Sequence, residues 1–328
     1  MQVNRLIFLD FDGVLFDTVK EAYAIAMLTH SQAKSIKEID FNSHHYYRFR
    51  SLRYLIGPAS DYLFLIPSIN NSTDLKSAEE SYFKSSNTGT DFERQRFTKE
   101  FFDIRTSIRE KETRLWNSLN PEFEFFVEIS ILLNKFSDKF CIVTTKDKGA
   151  VKQLFKHYGV DADLAIYDAD TFVKYKSKKS IIEFLMDDKK IDHAIFIDDS
   201  SHHLSLCKDI KNLVLMQPSW GYLPPGVEGV RITYAVEQIK RFLGIATRNE
   251  TFKENSMYGI EGKMYVQLCK LRDEYNLKGI KAEFEAEGSS LRDLMRLRRI
   301  TNSAGIDLFL KIGGVEAVRD IKDSLEIA

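Results

Sequence analysis

Apolar residues fall in short unbroken runs early and midway along the chain, with helically spaced stretches between them. Leu6-Ile7-Phe8-Leu9 runs straight into Asp10, so residues 5–10 read as a buried parallel strand. Thr18, with Glu21 three residues on, predicts a helix start closed by a capping box. From there to about residue 118 strand signals mostly vanish. Phe97, Phe101, Ile104 and Ile108 follow 4-3-4 spacing and predict an amphipathic helix within 91–117. The Ser-, Asn-, Thr- and Lys-rich stretch 67–90 is expected to hold a loop between helices. Asn120-Pro121 predicts the cap and first turn of a helix running to about Lys135.

Three further apolar runs then alternate with helical patterns. Phe140-Cys141-Ile142-Val143-Thr144, Ala194-Ile195-Phe196-Ile197-Asp198-Asp199 and Leu213-Val214-Leu215-Met216 predict strands, with a short one at 164–167. Helices are predicted over 148–158, 180–187 and 235–243, and a Lys-rich turn over 174–179. Strands separated by helices imply a parallel α/β sheet, Rossmann-like in layout. After a polar linker at 245–258 the pattern restarts. Helix 260–276 leads to Gly279–Gly288, where charged and apolar residues alternate strictly, then helix 290–303, strand 307–312 and helix 315–327. The predicted domains are a core (1–18 and 119–244), a helical insertion (19–118), the linker (245–258) and a C-terminal segment (259–328).

Composition narrows the picture. With 328 residues the chain should hold about two domains. It is 44% hydrophobic and 29% charged with a net charge of −1, so no global field draws it to nucleic acid or an anionic membrane. No apolar run approaches the roughly 18 residues a membrane span needs. Cys141, Cys207 and Cys269 are far apart in apolar or helical stretches, which predicts reduced buried thiols. No signal peptide precedes the first strand, so the expected location is cytoplasmic.

The chemistry gathers where strands end. In an open parallel sheet ligands bind outside the C-terminal lip of the strands. Asp10 and Asp12 lie there, with Gly13 next, and Asp198 and Asp199 end another strand. Phosphoryl transfer needs a nucleophile, a proton donor, a cation and positive donors around the phosphate. Asp10 can attack phosphorus and form an aspartyl-phosphate, and Asp12 can give or take a proton. Asp198 and Asp199 can join Asp10 around Mg²⁺, which prefers hard oxygens. Thr144 can hydrogen-bond a phosphoryl oxygen. One of Lys174, Lys176, Lys178 and Lys179 can supply a fixed positive charge.

Asp10-Phe11-Asp12-Gly13-Val14-Leu15-Phe16-Asp17-Thr18 resembles the first motif of the haloacid-dehalogenase-like (HAD) superfamily. Val143-Thr144-Thr145-Lys146 resembles its second motif, Lys176 before the helix Ser180-Ile181-Ile182-Glu183 its third, and Phe196-Ile197-Asp198-Asp199-Ser200 its fourth. All four occur in the family's order over about residues 3–244. The resemblance implies a Rossmann-like core with an inserted helical cap that closes over substrate. It implies a Mg²⁺-dependent phosphatase working through an aspartyl-phosphate. Asp10 is then the nucleophile, Asp12 the acid/base, and Thr144 and Lys176 the phosphate contacts. Asp10, Asp12, Asp198 and Asp199 form the metal set, and Gly13, Thr145 and Arg53 are the substrate contacts. Two departures stand out: Ser177 rather than proline follows Lys176, and His203 stands where many relatives carry another acid. Dehalogenase chemistry is disfavoured by the acid at position 12, and a phosphomutase-type phosphotransferase remains open.

In the insertion, Arg48, Arg50 and Arg53 cluster with Tyr46, Tyr47 and Phe49 just before Ile56-Gly57-Pro58, and could grip an anionic tail or form a solvated basic face. His44 and His45 read as surface or packing residues. In the C-terminal segment Glu283, Glu285 and Glu287 share one strand face, and Gly279 to Ile327 weakly resembles the opening of a citrate-lyase β/HpcH-type aldolase barrel. Such a barrel needs eight strands and about 250 residues, and two β/α units are present. The expectation is therefore a partial barrel-like segment, with the chain the front part of a longer protein or the segment packed on the core or on another subunit through self-association; the alternative function is a bifunctional protein whose main activity is a ketoacid aldolase. The expected substrate is a small phosphorylated metabolite.

Overall fold

Strand β1 (Arg5–Leu9) sits at the centre of a five-stranded sheet in the computed structural model, which describes residues 3–245. Cys269 and the elements expected over 259–328 lie outside the described residues. The strands β2 (Phe140–Val143), β3 (Ala165–Tyr167), β4 (His193–Ile197) and β5 (Leu213–Met216) join β1 in the order β3-β2-β1-β4-β5, and every pairing is parallel. Ile7 lies opposite Phe140 on one side and Ile195 on the other, a register that brings the ends of β1, β2 and β4 to one edge.

The unbroken apolar runs are explained by cover on both faces. Side chains alternate across a strand. Ile7, Leu9, Ile142 and Ile197 join one core with helices α7 (Glu124–Lys135), α8 (Lys148–His157) and α12 (Ile232–Phe242). Leu6, Phe8, Val143 and Phe196 join the other with α10 (Lys178–Asp188) and α11 (Ser201–Leu206). Phe8 is fully buried, and truncation to alanine at such a site costs about 3–5 kcal/mol. Helix α9 (Ala169–Tyr175) links β3 to α10. Cys141 and Cys207 are buried free thiols, as their apolar settings predict. Among the described residues no helix is long and apolar enough to cross a membrane.

Between β1 and α7 lie six helices: α1 (Val19–Thr29), α2 (His44–Ser51), α3 (Tyr62–Asn70), α4 (Leu75–Ser86), α5 (Asp91–Lys111) and α6 (Thr113–Ser118). They close on an aromatic core of their own. Phe49, Tyr62 and Phe101 stack in a row at centroid spacings of 5.5 and 5.4 Å.

Four local expectations need correction. The loop expected within 67–90 is confined to residues 71–74 between α3 and α4 and a short stretch after α4; α4 forms between them because Asp74 and Ser77 make a capping box and Ala78 and Tyr82, one turn apart, supply a buried stripe. Thr18 makes no side-chain cap bond, and Glu21, instead of closing a capping box, is buried against Arg105. Asn120-Pro121 does not open α7; Asn120 is buried and its Nδ2 donates to the Trp116 carbonyl at 2.8 Å, so the helix starts at Glu124. The Lys-rich turn is reduced to Lys176 and Ser177, which caps α10 by accepting from the Ser180 amide at 3.0 Å.

Candidate active site

Asp10 follows β1, Thr144 follows β2, and Asp198 and Asp199 follow β4, so the register sets all four at one lip of the sheet. The turn after β1 is held by Leu15 and Phe16 amides donating to the Phe11 carbonyl and by the Gly13 amide donating to the Phe16 carbonyl. Gly13 has φ +82°, and a Cβ there would fall 2.2 Å from Asp199 Oδ2. Gly221 closes the opposite side, where a Cβ would fall 2.5 Å from Asp199 Cβ. Asp199 thus sits in a slot between two glycines, and its Oδ2 accepts from the Tyr222 amide at 2.9 Å.

Asp10, Asp198 and Asp199 each bring a carboxylate oxygen within 4.8 Å of the others. Burial and mutual repulsion set their protonation. Burial raises the Asp10 carboxyl to about 6, with Lys178 opposing and Asp198 adding to the rise. Burial, then Asp198 and Asp10, pushes Asp199 well above the carboxylate range. Burial also works against charge on Asp198, but Lys178 and His203 outweigh it and hold that carboxyl low. Three acids face one lysine here, a deficit of positive charge on hard oxygens. That donor set fits a divalent cation such as Mg²⁺.

The lysine is Lys178, not Lys176. Lys178 Nζ lies 2.7 Å from Asp10 Oδ1 and 2.8 Å from Asp198 Oδ2, and the residue is 2% exposed. Lys176 is exposed and left-handed at φ 64°, between two helices. Lying one position before the Ser177 cap, it is outside the first turn of α10 that aims Lys178 inward.

The structure gathers three of the four expected metal carboxylates. Asp12 turns away to Lys146, whose Nζ is 3.2 Å from Asp12 Oδ1. Burial opposes charge on Asp12, but Lys146, Arg105 and Arg53 outweigh it and hold the carboxyl below its usual range. Thr144 is buried with its Oγ1 accepting from the Lys146 amide at 3.1 Å, while the exposed Thr145 lines the cavity.

That cavity has a volume of about 320 Å³ and is walled by Asp10, Asp12, Thr145, Lys178 and Asp199 from the sheet side and by Arg53 from the helical insertion. The basic cluster divides. Arg48 donates to the Ser72 and Asp74 carbonyls, Arg50 pairs with Asp17 at 2.8 Å, and only Arg53 reaches the cavity. Its guanidinium lies 5.0 Å from the Tyr222 ring and 5.8 Å from the Tyr62 ring. His45 bonds Tyr23 and Asn70, a packing role. Sequence reasoning missed Lys146 and Tyr222 as parts of the site. His203, one of the two departures noted in the sequence, brings its Nδ1 to 3.2 Å from Asp198 Oδ2. The one signal for Tyr222 was a glycine between two aromatic residues at 220–222.

No protein-family model and no curated protein matches the chain. Solved structures with a similar chain arrangement include a haloacid dehalogenase-like family hydrolase from Streptococcus pneumoniae, at 14% identity and TM-score 0.45, covering 68% of this chain and 88% of that one. A predicted phosphatase from Clostridium acetobutylicum aligns at 16% identity and TM-score 0.46, over 73% of this chain and 100% of that one. A predicted phosphoglycolate phosphatase from Haemophilus somnus aligns at 15% and 0.46, over 69% and 89%. Likeness at this level carries no chemistry, which has to come from the site itself.

Proposed function

We propose that the chain is a phosphomonoester hydrolase of the haloacid-dehalogenase-like type, acting on a small phosphorylated metabolite through an aspartyl-phosphate on Asp10. The observation that supports it is the meeting of Asp10, Lys178, Asp198 and Asp199 at one sheet lip beside Asp12. A structural turn would need none of this cluster. A cavity of about 320 Å³ suits a small ligand.

In the first step an Asp10 carboxylate oxygen attacks phosphorus. The ester P–O bond breaks, its electron pair goes to the leaving oxygen, and Asp12, protonated when the anionic phosphate binds beside it, supplies a proton to that oxygen. In the second step Asp12, now a carboxylate, takes a proton from water as the water oxygen attacks phosphorus. The bond to Asp10 breaks, its pair returns to the carboxylate, and inorganic phosphate leaves. Lys178 holds Asp10 in place and faces the phosphoryl oxygens with a fixed charge. Arg53 and Thr145 contact the substrate, Arg53 from the inserted cap. Asp10, Asp198 and Asp199 would hold Mg²⁺, which supplies neutralisation of the phosphate charge.

Hydrolysis of 4-nitrophenyl phosphate with Mg²⁺ tests this. Activity in the wild type that Asp10→Asn abolishes is the expected result. Activity that survives Asp10→Asn, or none in the wild type, overturns it.

A further inference from the structure

Behind Asp12 lies a second cluster of charge that the two chemical steps above do not use. Lys146 Nζ, fully buried, sits 3.2 Å from Asp12 Oδ1 and 3.9 Å from Glu21 Oε2. Glu21, also fully buried, accepts from Arg105 Nε at 2.6 Å and Nη2 at 2.9 Å, and from Trp116 Nε1 at 3.3 Å. The four charged groups come from four places, the turn after β1, helix α1, helix α5 and the turn after β2, and Trp116 comes from α6. Two acids are matched by two bases, with the Trp116 ring 6.0 Å from the Lys146 ammonium.

The geometry has a direction. Arg105 grips Glu21 at both oxygens, so Glu21 is fixed in the insertion. Glu21 and the indole fix the lysine, and the lysine in turn takes one oxygen of Asp12. A carboxylate tied at one oxygen cannot rotate freely, and Asp12 lines the cavity while it is held. Misplacing a proton-transfer group by an ångström is enough to cost rate heavily.

We infer that Lys146 is a positioning residue for Asp12, and that Glu21 and Arg105, from the helical insertion, hold Lys146 where it can do so. The inference rests on the phosphatase reading. Its consequence differs between the two chemical steps. A 4-nitrophenolate leaving group departs without a proton, so forming the aspartyl-phosphate does not need a well-placed Asp12. Breaking it always requires a base on water. Lys146→Met should therefore slow the second step alone with this ester.

The experiment is steady-state and rapid-quench kinetics with Mg²⁺ on 4-nitrophenyl phosphate and on glycerol phosphate. For Lys146→Met with the aryl ester, kcat should fall about 10–100-fold and KM with it, leaving kcat/KM within about threefold, while phosphoenzyme accumulates. With glycerol phosphate, whose alkoxide needs a proton, kcat/KM itself should fall. The double variant Lys146→Met/Glu21→Gln leaves Asp12 matched by Arg105. It should melt closer to the wild type and keep the same kinetic pattern, which separates positioning from folding. Equal loss of kcat and kcat/KM without phosphoenzyme, or wild-type kinetics in the double variant, would overturn the inference alone. A wild type inert to both esters would overturn the phosphatase reading and this inference with it.

Discussion

Two buried charge clusters lie side by side in this molecule, and they are built on opposite terms. The Asp12–Lys146–Glu21–Arg105 cluster is balanced, acid for base. The Asp10–Asp198–Asp199 cluster sets three acids against Lys178, and two of its carboxyls are pushed up as a result. A balanced cluster stabilises the fold only while every member is present. An unbalanced one leaves room for a cation and a substrate. Burial alone does not tell the two apart; the charge count does.

The sharpest way to break the comparison is activity. Asp10→Asn should remove at least about 10³-fold of the rate on an aryl phosphate, and Lys178→Met at least about 10²-fold. Lys176→Ala should stay within about twofold, as an exposed surface change does. Equal losses at the two lysines would undo the assignment made from the α10 cap.

Stability comes next. Arg105→Met leaves Glu21 buried beside a single lysine, and breaking such a pair costs about 3–5 kcal/mol. Urea unfolding should show that loss, and Mg²⁺ should not reverse it. In the unbalanced cluster the ion should matter: at a hundredfold excess over its Kd, Mg²⁺ should add about 2.7 kcal/mol to wild-type stability. Asp199→Asn should abolish that gain, as read by melting with and without the metal.

The smallest effect is on pH. Asp10, raised to about 6, and Asp199, also raised by burial and its neighbouring acids, are neutral at low pH and must lose protons to bind a cation. Mg²⁺ affinity should therefore rise with pH from 5 to 7, by up to about tenfold per unit for each proton released. Calorimetry in two buffers of different ionisation heat would count those protons. A flat profile would mean that both carboxyls are already charged in the free protein.

The sheet was legible in the sequence because its cover on both faces writes itself as unbroken apolar runs, and because acids end two of them. Asp10, Asp198 and Asp199 followed from that pattern alone. The lysine did not. Four candidates lie within six residues, and only the helix start separates them. Ser177 with Ser180 three residues on was the available signal, since an N-cap there turns Lys178 inward and leaves Lys176 outside. Glu21 was read as part of a capping box because its spacing from Thr18 fits one. The competing signal lay on α5, where Arg105 continues the Phe97–Phe101 series at the next four-residue step. A cation in a core-facing register asks for a buried acid, and Glu21 answers it. Helix α4 escaped notice because its inward stripe rests on only Ala78 and Tyr82.

The bond from Arg105 to Glu21 bears on protein engineering. Swapping the insertion for a foreign one, a common route to new specificity, would import helices whose ionic complement was drawn up for another host. A graft that omits either residue would upset the balance of charge around Lys146. Chimaeras of this scaffold should therefore transplant the pair together, or neutralise the lysine first.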